Sequence, residues 1–143
     1  HSVENHGFQH ATLFALFSPS RMQKDMLKAQ EAIFKAAGVW PRFFRPTAGF
    51  RPPWISIALA RCGLHLAMWS ARGFDTREPQ TQRVLHRLTQ SLKPGSILLL
   101  HDGHSATTPT GKAVVLAVLP QLLQTIRQKG LHCARLQDVI DVS

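Results

Sequence analysis

At residues 94–102 the chain reads Pro-Gly-Ser-Ile-Leu-Leu-Leu-His-Asp, a turn followed by an unbroken apolar run that ends in a histidine and an aspartate. An apolar run without polar alternation is typical of a parallel strand that helices cover on both faces. Segments with helical periodicity flank it, from about Gln80 to Leu92 and from about Lys112 to Lys129. Pro120 predicts a break or kink in the second helix. A strand between two such helices indicates βαβ crossovers and a parallel α/β fold.

The same alternation continues on both sides of this segment. Ser18-Pro19 predicts a helix start, with serine as the cap and proline at the first helical position, and Gly38 predicts its end. The other predicted elements are strands at residues 1–5, 42–45, 64–69 and 131–136 and a helix at residues 54–62. The pattern predicts a parallel sheet or barrel in a single domain, residues 1–143, because about 100–200 residues make one domain.

The composition excludes several classes of protein. Apolar residues make up 44% of the 143 residues and charged residues 17%, as in globular and not in disordered chains. The longest apolar runs are far shorter than the roughly 20 residues that cross a bilayer, so no transmembrane segment is predicted. Cys62 and Cys133 allow one disulfide at most, which excludes a disulfide framework.

The net charge of +9, from 17 Lys and Arg against 8 Asp and Glu, allows attraction to polyanions. The basic residues are scattered, which favours an ordinary solvated surface. A basic nucleic-acid-binding module is an alternative, because several aromatic residues stand beside arginines and offer stacking platforms. These aromatic residues are Trp40, Phe43, Phe44 and Trp54. No recognition-helix or RNP signature supports that alternative, so nucleic acid is not expected as a partner.

Polar side chains stand where the predicted strands end. His6 and His10 follow the first strand, Arg45 ends the second, Asp75 follows the third and His101 ends the fourth. Ligands of parallel α/β folds collect at the carboxyl ends of the strands. Two imidazoles four residues apart lie on one face of a helical turn, where both can bind one cation at about 2.0–2.1 Å. Taken singly, these residues also fit an accidental histidine pair, a surface arginine and a structural histidine.

Taken in order, the segments resemble four motifs of the polysaccharide deacetylase family, the NodB-homology domain or carbohydrate esterase family 4. Residues 6–10, His-Gly-Phe-Gln-His, are similar to the family's second motif, His-(Ser/Thr)-x-x-His, with Gly7 at the Ser/Thr position. Residues 44–49, Phe-Arg-Pro-Thr-Ala-Gly, resemble the third motif, Arg-x-Pro-aromatic. Thr47 and Ala48 stand there in place of the usual proline and tyrosine.

Two further motifs follow along the chain. Residues 69–75, Trp-Ser-Ala-Arg-Gly-Phe-Asp, resemble the fourth motif, although Arg72 replaces its first aspartate and Thr76 the tryptophan that normally follows its second. Residues 95–102 are a clean example of the fifth motif. The resemblance implies the C-terminal part of a distorted (β/α) barrel of the NodB type.

The resemblance also implies a metal-dependent hydrolase that removes N-acetyl or O-acetyl groups from a carbohydrate. His6 and His10 would bind a divalent metal, with zinc expected and cobalt, manganese or nickel as alternatives. His101 would be the general acid that protonates the departing sugar amine, and Asp75 would hold it in the right tautomer. Arg45 would orient the catalytic base.

Three residues would contact the substrate. The resemblance assigns oxyanion binding to the backbone N–H of Ala48, sugar contact to Trp69 and the acetyl pocket to Leu99. An ordinary core position is an equal alternative for Leu99. A glycan N-acetyl group, an O-acetyl ester and a small cyclic amide all stay open as substrates.

The family's first motif, Thr-Phe-Asp-Asp-Gly, is absent, since the chain contains no Asp-Asp pair. In the family this motif supplies the third metal ligand and the base. We therefore expect a chain that lacks about two N-terminal βα units and is catalytically incomplete. A member that retains only sugar binding or a structural role is the alternative.

An incomplete barrel would leave a strand edge uncovered, so we expect oligomers to form through that edge. The chain begins at His1 without a basic-then-apolar signal region. Cytoplasm and cell envelope both stay open as locations, and membrane association is undetermined.

Overall fold

The computed structural model describes residues 1–140, which form two compact units, residues 1–68 with 134–140 and residues 69–133. The helices are α1 (Pro19–Ala37), α2 (Ile55–Cys62), α3 (Thr81–Thr89), α4 (Val114–Gln128) and α5 (Leu136–Val139). The strands are β1 (Phe43–Phe44), β2 (His65–Leu66), β3 (Ala71–Arg72) and β4 (Leu98–Leu99). Short 3₁₀ turns occupy Phe14–Leu16 and Thr47–Gly49.

Helix α1 of the first unit begins and ends as its sequence predicts. The Ser18 hydroxyl accepts a hydrogen bond from the Arg21 N–H at 3.3 Å, Pro19 follows at the first helical position, and Gly38 ends the helix with a φ of 69°. The helix buries Met22 and Met26 in a core that it shares with α2 and the 3₁₀ turn at Phe14–Leu16. That core contains Phe14, Phe17, Phe44, Ile55, Ala58, Leu59, Cys62 and Leu64.

The first unit's sheet is short and parallel. Strand β1 pairs with β2, with Phe43 opposite His65 and Phe44 opposite Leu66. On the other side of β1, the Asn5 N–H donates to the Phe43 carbonyl at 3.0 Å, and the Asn5 carbonyl accepts from the Arg45 N–H at 2.9 Å. The strand predicted at residues 1–5 is therefore a single parallel bridge, Asn5 to Phe44.

The second unit is built on the parallel pair β3–β4, which α3 and α4 cover. The Ser70 hydroxyl ties the two strands together, because it donates to the Ile97 carbonyl and accepts from the Ile97 N–H. The two helices share an apolar core of Val84, Leu88, Val114, Val118, Leu122 and Ile126. Gly73 follows β3 where α3 packs closest, since a Cβ there would lie 2.6 Å from Val84 Cγ1.

The strand predicted at residues 131–136 and the helix break predicted at Pro120 are both absent. No strand forms at residues 131–136, where the Leu131 N–H instead donates to the Ile126 carbonyl as part of the end of α4, and α5 begins at Leu136. Helix α4 also runs unbroken through Pro120. Pro120 and Leu116 both lie on the exposed face of α4, where water can hydrogen-bond the Leu116 carbonyl that the proline leaves without an N–H partner.

The two cysteines are both free thiols, so the single disulfide that the sequence allows does not form. Burial raises the pKa of the Cys62 thiol, whereas Cys133 is exposed. Within residues 1–140, none of the helices combines the length and the apolar character that crossing a lipid bilayer requires.

Replacing Gly73 with alanine should destabilise the second unit. The new Cβ would overlap the fully buried Val84 side chain, and we expect a loss of about 1–3 kcal/mol in the free energy of unfolding. Urea unfolding of Gly73→Ala measures this. Gly103→Ala is the matched control, because a Cβ at Gly103 meets no heavy atom within 4 Å. The Gly73→Ala/Val84→Ala double variant should show a favourable coupling, and strictly additive losses would contradict the predicted overlap.

Candidate functional site

The structure brings His6 and His10 together. Their ring centroids are 4.9 Å apart and the ring planes meet at 78°. Two imidazoles that bind one tetrahedral zinc through bonds of about 2.0–2.1 Å have centroids about 5 Å apart, so this spacing fits a shared ion. The pair does not lie on a helical turn. A bent loop carries both residues instead, with positive φ angles of 87° at Gly7 and 48° at His10.

The buried carboxylate of Asp25 shapes this loop. It accepts hydrogen bonds from the Phe8 N–H at 3.0 Å and from the Gln9 N–H at 3.1 Å. The Asn5 side chain holds the start of the loop. Its oxygen accepts a hydrogen bond from the Gly7 N–H at 2.9 Å, and its amide donates to the Met26 carbonyl. Helix α1 thus holds the histidine loop through the Asp25 side chain and the Met26 carbonyl.

Arg45 orients His6 through its backbone. Its carbonyl oxygen lies 2.6 Å from His6 Nδ1. In the neutral ring this contact requires a proton on Nδ1 and leaves the lone pair on Nε2, the arrangement in which a backbone carbonyl orients a metal-binding histidine. The Arg45 Nε donates to the Ala67 carbonyl at 3.3 Å, and burial lowers the pKa of the half-buried guanidinium. Its contact with a base stays a prediction.

The histidine pair fits part of a divalent-metal site. Imidazole nitrogen suits zinc, cobalt and nickel, and the ring separation matches a shared ion. Among residues 1–140, however, no group of three or more His, Cys, Asp or Glu side chains is placed to hold a metal. This part of the chain therefore offers two ligands of such a site.

Asp75 and His101 form the second close pair. Asp75 is fully buried, and both of its carboxylate oxygens contact His101. Oδ2 accepts a hydrogen bond from the His101 N–H at 2.7 Å, and Oδ1 lies 3.1 Å from His101 Nδ1. This double contact fixes both the backbone and the ring of His101, and it places a proton on Nδ1. The imidazole is 38% exposed, so its Nε2 is the nitrogen that can exchange a proton with a substrate.

The predicted substrate contacts have different surroundings. Ala48 is exposed in the turn after β1 and has a φ of 57°, a strained conformation for a residue with a Cβ. Trp69 is half-buried, with the Arg72 guanidinium 5.7 Å from its ring centroid. Leu99 is buried. Its two neighbours in sequence, Leu98 and Leu100, pack on the α3–α4 core. Because side chains alternate along a strand, Leu99 points to the opposite face.

Comparison with known proteins finds similar sequences and structures. The sequence profile described as polysaccharide deacetylase matches residues 1–67. A chitooligosaccharide deacetylase from Bradyrhizobium sp. (strain ANU 289) is 28% identical over 139 residues, which covers 92% of this chain and 63% of the relative. A family 4 carbohydrate esterase from Streptomyces lividans in complex with acetate superposes with a TM-score of 0.81 at 26% identity, over 94% of this chain and 65% of the esterase. The chain is similar to the NodB-homology polysaccharide deacetylases, whose family profile matches its first 67 residues.

The structural similarity confirms the predicted fold class, an α/β structure of the NodB type. A peptidoglycan-N-acetylglucosamine deacetylase from Bacillus cereus is also similar, with 23% identity over 98% of this chain and 63% of the relative. A CE4 family pseudoenzyme from Bacillus anthracis shares the fold, with a TM-score of 0.84 at 18% identity, over 99% of this chain and 47% of that protein. The chain spans less than two thirds of the length of these relatives.

One departure from the family's motifs has a physical reason. At Gly7 the backbone has a positive φ of 87°, and a Cβ would lie 3.0 Å from the Asp25 carboxylate. Serine or threonine, the family's usual residues at this position, would be strained there. The substitution therefore follows from the way in which Asp25 holds the loop.

Motif reading missed Asp25, Asn5 and Glu4. A signal for Asp25 exists, because α1 presents Met22, Asp25, Met26 and Ala29 at helical spacing, and a carboxylate in an otherwise apolar stripe needs partners. The Glu4 carboxylate accepts from the N–H groups of Arg42 and Phe43, both at 2.9 Å. Glu4 thereby ties the start of the chain to β1.

Asp25→Asn should loosen the histidine loop. An asparagine offers one acceptor where two backbone N–H groups now bond, and we expect a loss of about 1–3 kcal/mol in the free energy of unfolding. Amide exchange at Phe8 and Gln9 should also accelerate. Both are measured on the intact chain, with Glu31→Gln as the control, which removes the same charge from an exposed position of α1. Unchanged exchange at Phe8 and Gln9 would contradict the role of Asp25.

Proposed function

We propose that this chain carries out part of the hydrolysis of acetyl groups from an acetylated carbohydrate. The observation that carries the proposal is the His6–His10 pair, with rings 4.9 Å apart and His6 oriented by a backbone carbonyl, in a chain similar to polysaccharide deacetylases. Curated relatives include a chitooligosaccharide deacetylase and a peptidoglycan-N-acetylglucosamine deacetylase. Glycan N-acetyl groups are therefore the substrate class that we put first, with O-acetyl esters second.

The histidine pair would hold a divalent metal, with zinc first and cobalt, manganese or nickel as alternatives. Such an ion, when bound, polarises a carbonyl and makes hydroxide available near neutral pH. The His6 Nδ1 contact keeps the ring in the tautomer whose Nε2 is the donor atom. The chain has no Asp-Asp pair to supply the family's base and third ligand, so we propose that the 143 residues by themselves are catalytically incomplete.

His101 would donate the proton that the departing sugar amine needs. Its Nδ1 faces a fully buried carboxylate, so the proton is transferred at Nε2. Asp75 acts through His101 and is a positioning residue: it holds the ring by one oxygen and the backbone by the other.

Four other residues complete the proposal. The Ala48 N–H would bind the oxyanion, and its positive φ sets the direction of that N–H. Arg45 would orient the base, Trp69 would contact the sugar, and Leu99, which faces away from the α3–α4 core, would line the acetyl pocket.

Sugar binding without hydrolysis is the second candidate function. Arg72 occupies the position of an aspartate in the family's fourth motif, and the described residues hold no set of three metal ligands. A chain of this kind would bind acetylated oligosaccharides and release them unchanged. Product analysis by mass spectrometry distinguishes the two functions.

Metal binding tests the histidine pair. Zn²⁺ titration followed by calorimetry should show one weak site on the intact chain, and His6→Ala or His10→Ala should lower the affinity by about 10-fold or more. His132→Ala is the control, because His132 is exposed and remote from the pair in sequence. Equal Zn²⁺ affinity in the two pair variants and the unmodified chain would refute the assignment.

The kinetics of acetate release test the proton donor, measured on the longest native polypeptide that includes these residues. His101→Ala should lower kcat about 10²- to 10⁴-fold with little change in KM, because the proton is needed only as the amine leaves. Asp75→Asn should lower kcat less and change its pH profile, since the acid itself remains. The control is His104→Asn, which alters an exposed histidine of the same loop. A rise in KM at constant kcat for His101→Ala would contradict its role as the acid.

A further inference from the structure

The second unit contains an open cavity of about 290 Å³ that the reaction described above does not use. Its walls are Phe74, Arg77, Glu78 and Arg87. The cavity begins one residue before Asp75, so it lies beside the segment that holds the proton donor. Its volume is at the lower end of ligand pockets, which span about 300–1,000 Å³, so it suits one small group or ring.

The charge of the cavity is positive. Glu78 is already paired, since its carboxylate lies 3.2 Å from Arg87 and 3.9 Å from Arg83. Arg77 is exposed, and no ion pair found among residues 1–140 includes it. Arg77 therefore lines the cavity without a carboxylate partner in the described part of the chain, which favours an oxyanion as ligand.

Phe74 combines backbone strain with exposure. Its φ is 59°, which is rare for a bulky side chain, and 43% of the residue is exposed. The guanidinium of Arg72 lies 4.2 Å from its ring centroid and that of Arg87 lies 5.5 Å away. Cation–π contact of this kind holds both arginines near the cavity while the ring offers a flat apolar surface. Strain of this type concentrates at binding sites.

Arg72 supplies an independent sign of an anionic partner. Its Nε is buried and donates no hydrogen bond to any group in the described part of the chain. A buried donor on a charged group is costly to leave without an acceptor. Arg72 also stands where the family's fourth motif has an aspartate, so the local charge is reversed relative to that motif.

We propose that the Phe74–Arg77–Glu78–Arg87 cavity is a subsite for an anionic group, a carboxylate or a phosphate, that the acetylated carbohydrate bears. Arg77 and Arg87, the two arginines that line the cavity, bind the oxyanion. The Phe74 ring packs against the sugar that carries this group. The sugar part of this inference rests on the proposed function, whereas the recognition of an anion rests on the cavity alone.

Direct binding tests the subsite without any turnover. Calorimetry on the intact chain compares three probes: a neutral oligomer of N-acetylglucosamine, the same oligomer with one carboxylate and the same oligomer with one phosphate. An acidic probe should bind about 10-fold more tightly than the neutral one, and added salt should reduce that preference. Whichever acidic probe binds more tightly, the carboxylate-bearing or the phosphate-bearing oligomer, identifies the anionic group.

Two variants on neighbouring positions sharpen the test. Arg77→Gln should abolish most of the preference for the acidic probe, and it should fold normally because Arg77 is exposed. Arg83→Gln is the matched control, since it removes the same charge from a residue that contacts Glu78 but does not line the cavity. The Arg83→Gln variant should keep the full preference for the acidic probe over the neutral one.

The outcomes separate the subsite from the proposed function. Equal affinity for all three probes, or an equal loss of preference in Arg77→Gln and Arg83→Gln, overturns the subsite. Acidic probes that bind through Arg77 support it even when no acetate is released. Acetate release without any preference for acidic probes would leave the deacetylase proposal standing and remove this one.

Discussion

Two hydrogen bonds to the buried carboxylate of Asp25 determine the conformation of the loop on which the first unit's chemistry depends. They draw Phe8 and Gln9 onto helix α1 and so bend the chain between His6 and His10. A carboxylate buried in this way is stable only when its oxygens are bonded, so the loop and the helix each stabilise the other. The core beneath them, with Met22 and Met26 fully buried, keeps Asp25 in place.

The second unit follows the same principle with a different pair. Asp75 is also buried, and it too uses both oxygens, one on a backbone N–H and one on a side chain. In each unit a buried carboxylate holds a loop that carries histidines. Asp25 bonds the backbone between His6 and His10, and Asp75 bonds His101 itself. Strand length therefore matters less than the placement of these two acids.

Much of the helical structure follows from local signals in the sequence. Ser18, Pro19 and Gly38 predict the two ends of α1 because capping involves residues within one turn. The two-residue strands are harder to predict, since β3 depends on Ser70 bonding to Ile97, 27 residues away. The alternation of strands and helices predicts a strand from Leu131 after the helix that Gly130 ends, but Leu131 packs on the α3–α4 core as the continuation of that helix end.

For the candidate site too, the sequence predicts which residues matter but not their conformations. Residue type and order identified His6, His10, Asp75 and His101 as chemically important. Their conformations depend on contacts distant in sequence: His6 meets the Arg45 carbonyl 39 residues away, and His101 meets Asp75 26 residues away. The spacing of the first pair is compatible with one face of a helical turn, whereas Gly7 and Asp25 produce a bent loop. The signal that was overlooked is the single acid in the apolar stripe of α1.

The four residues other than glycine that adopt positive φ angles are, within the described chain, His10, Ala48, Phe74 and His104. Three of them belong to the sites discussed above, and the fourth shares a loop with His101. Glycine or asparagine would relieve the backbone at each position. Directed evolution for thermal tolerance alone would therefore favour replacement at the same positions that shape the sites, so heat resistance and activity would be in conflict at these loops.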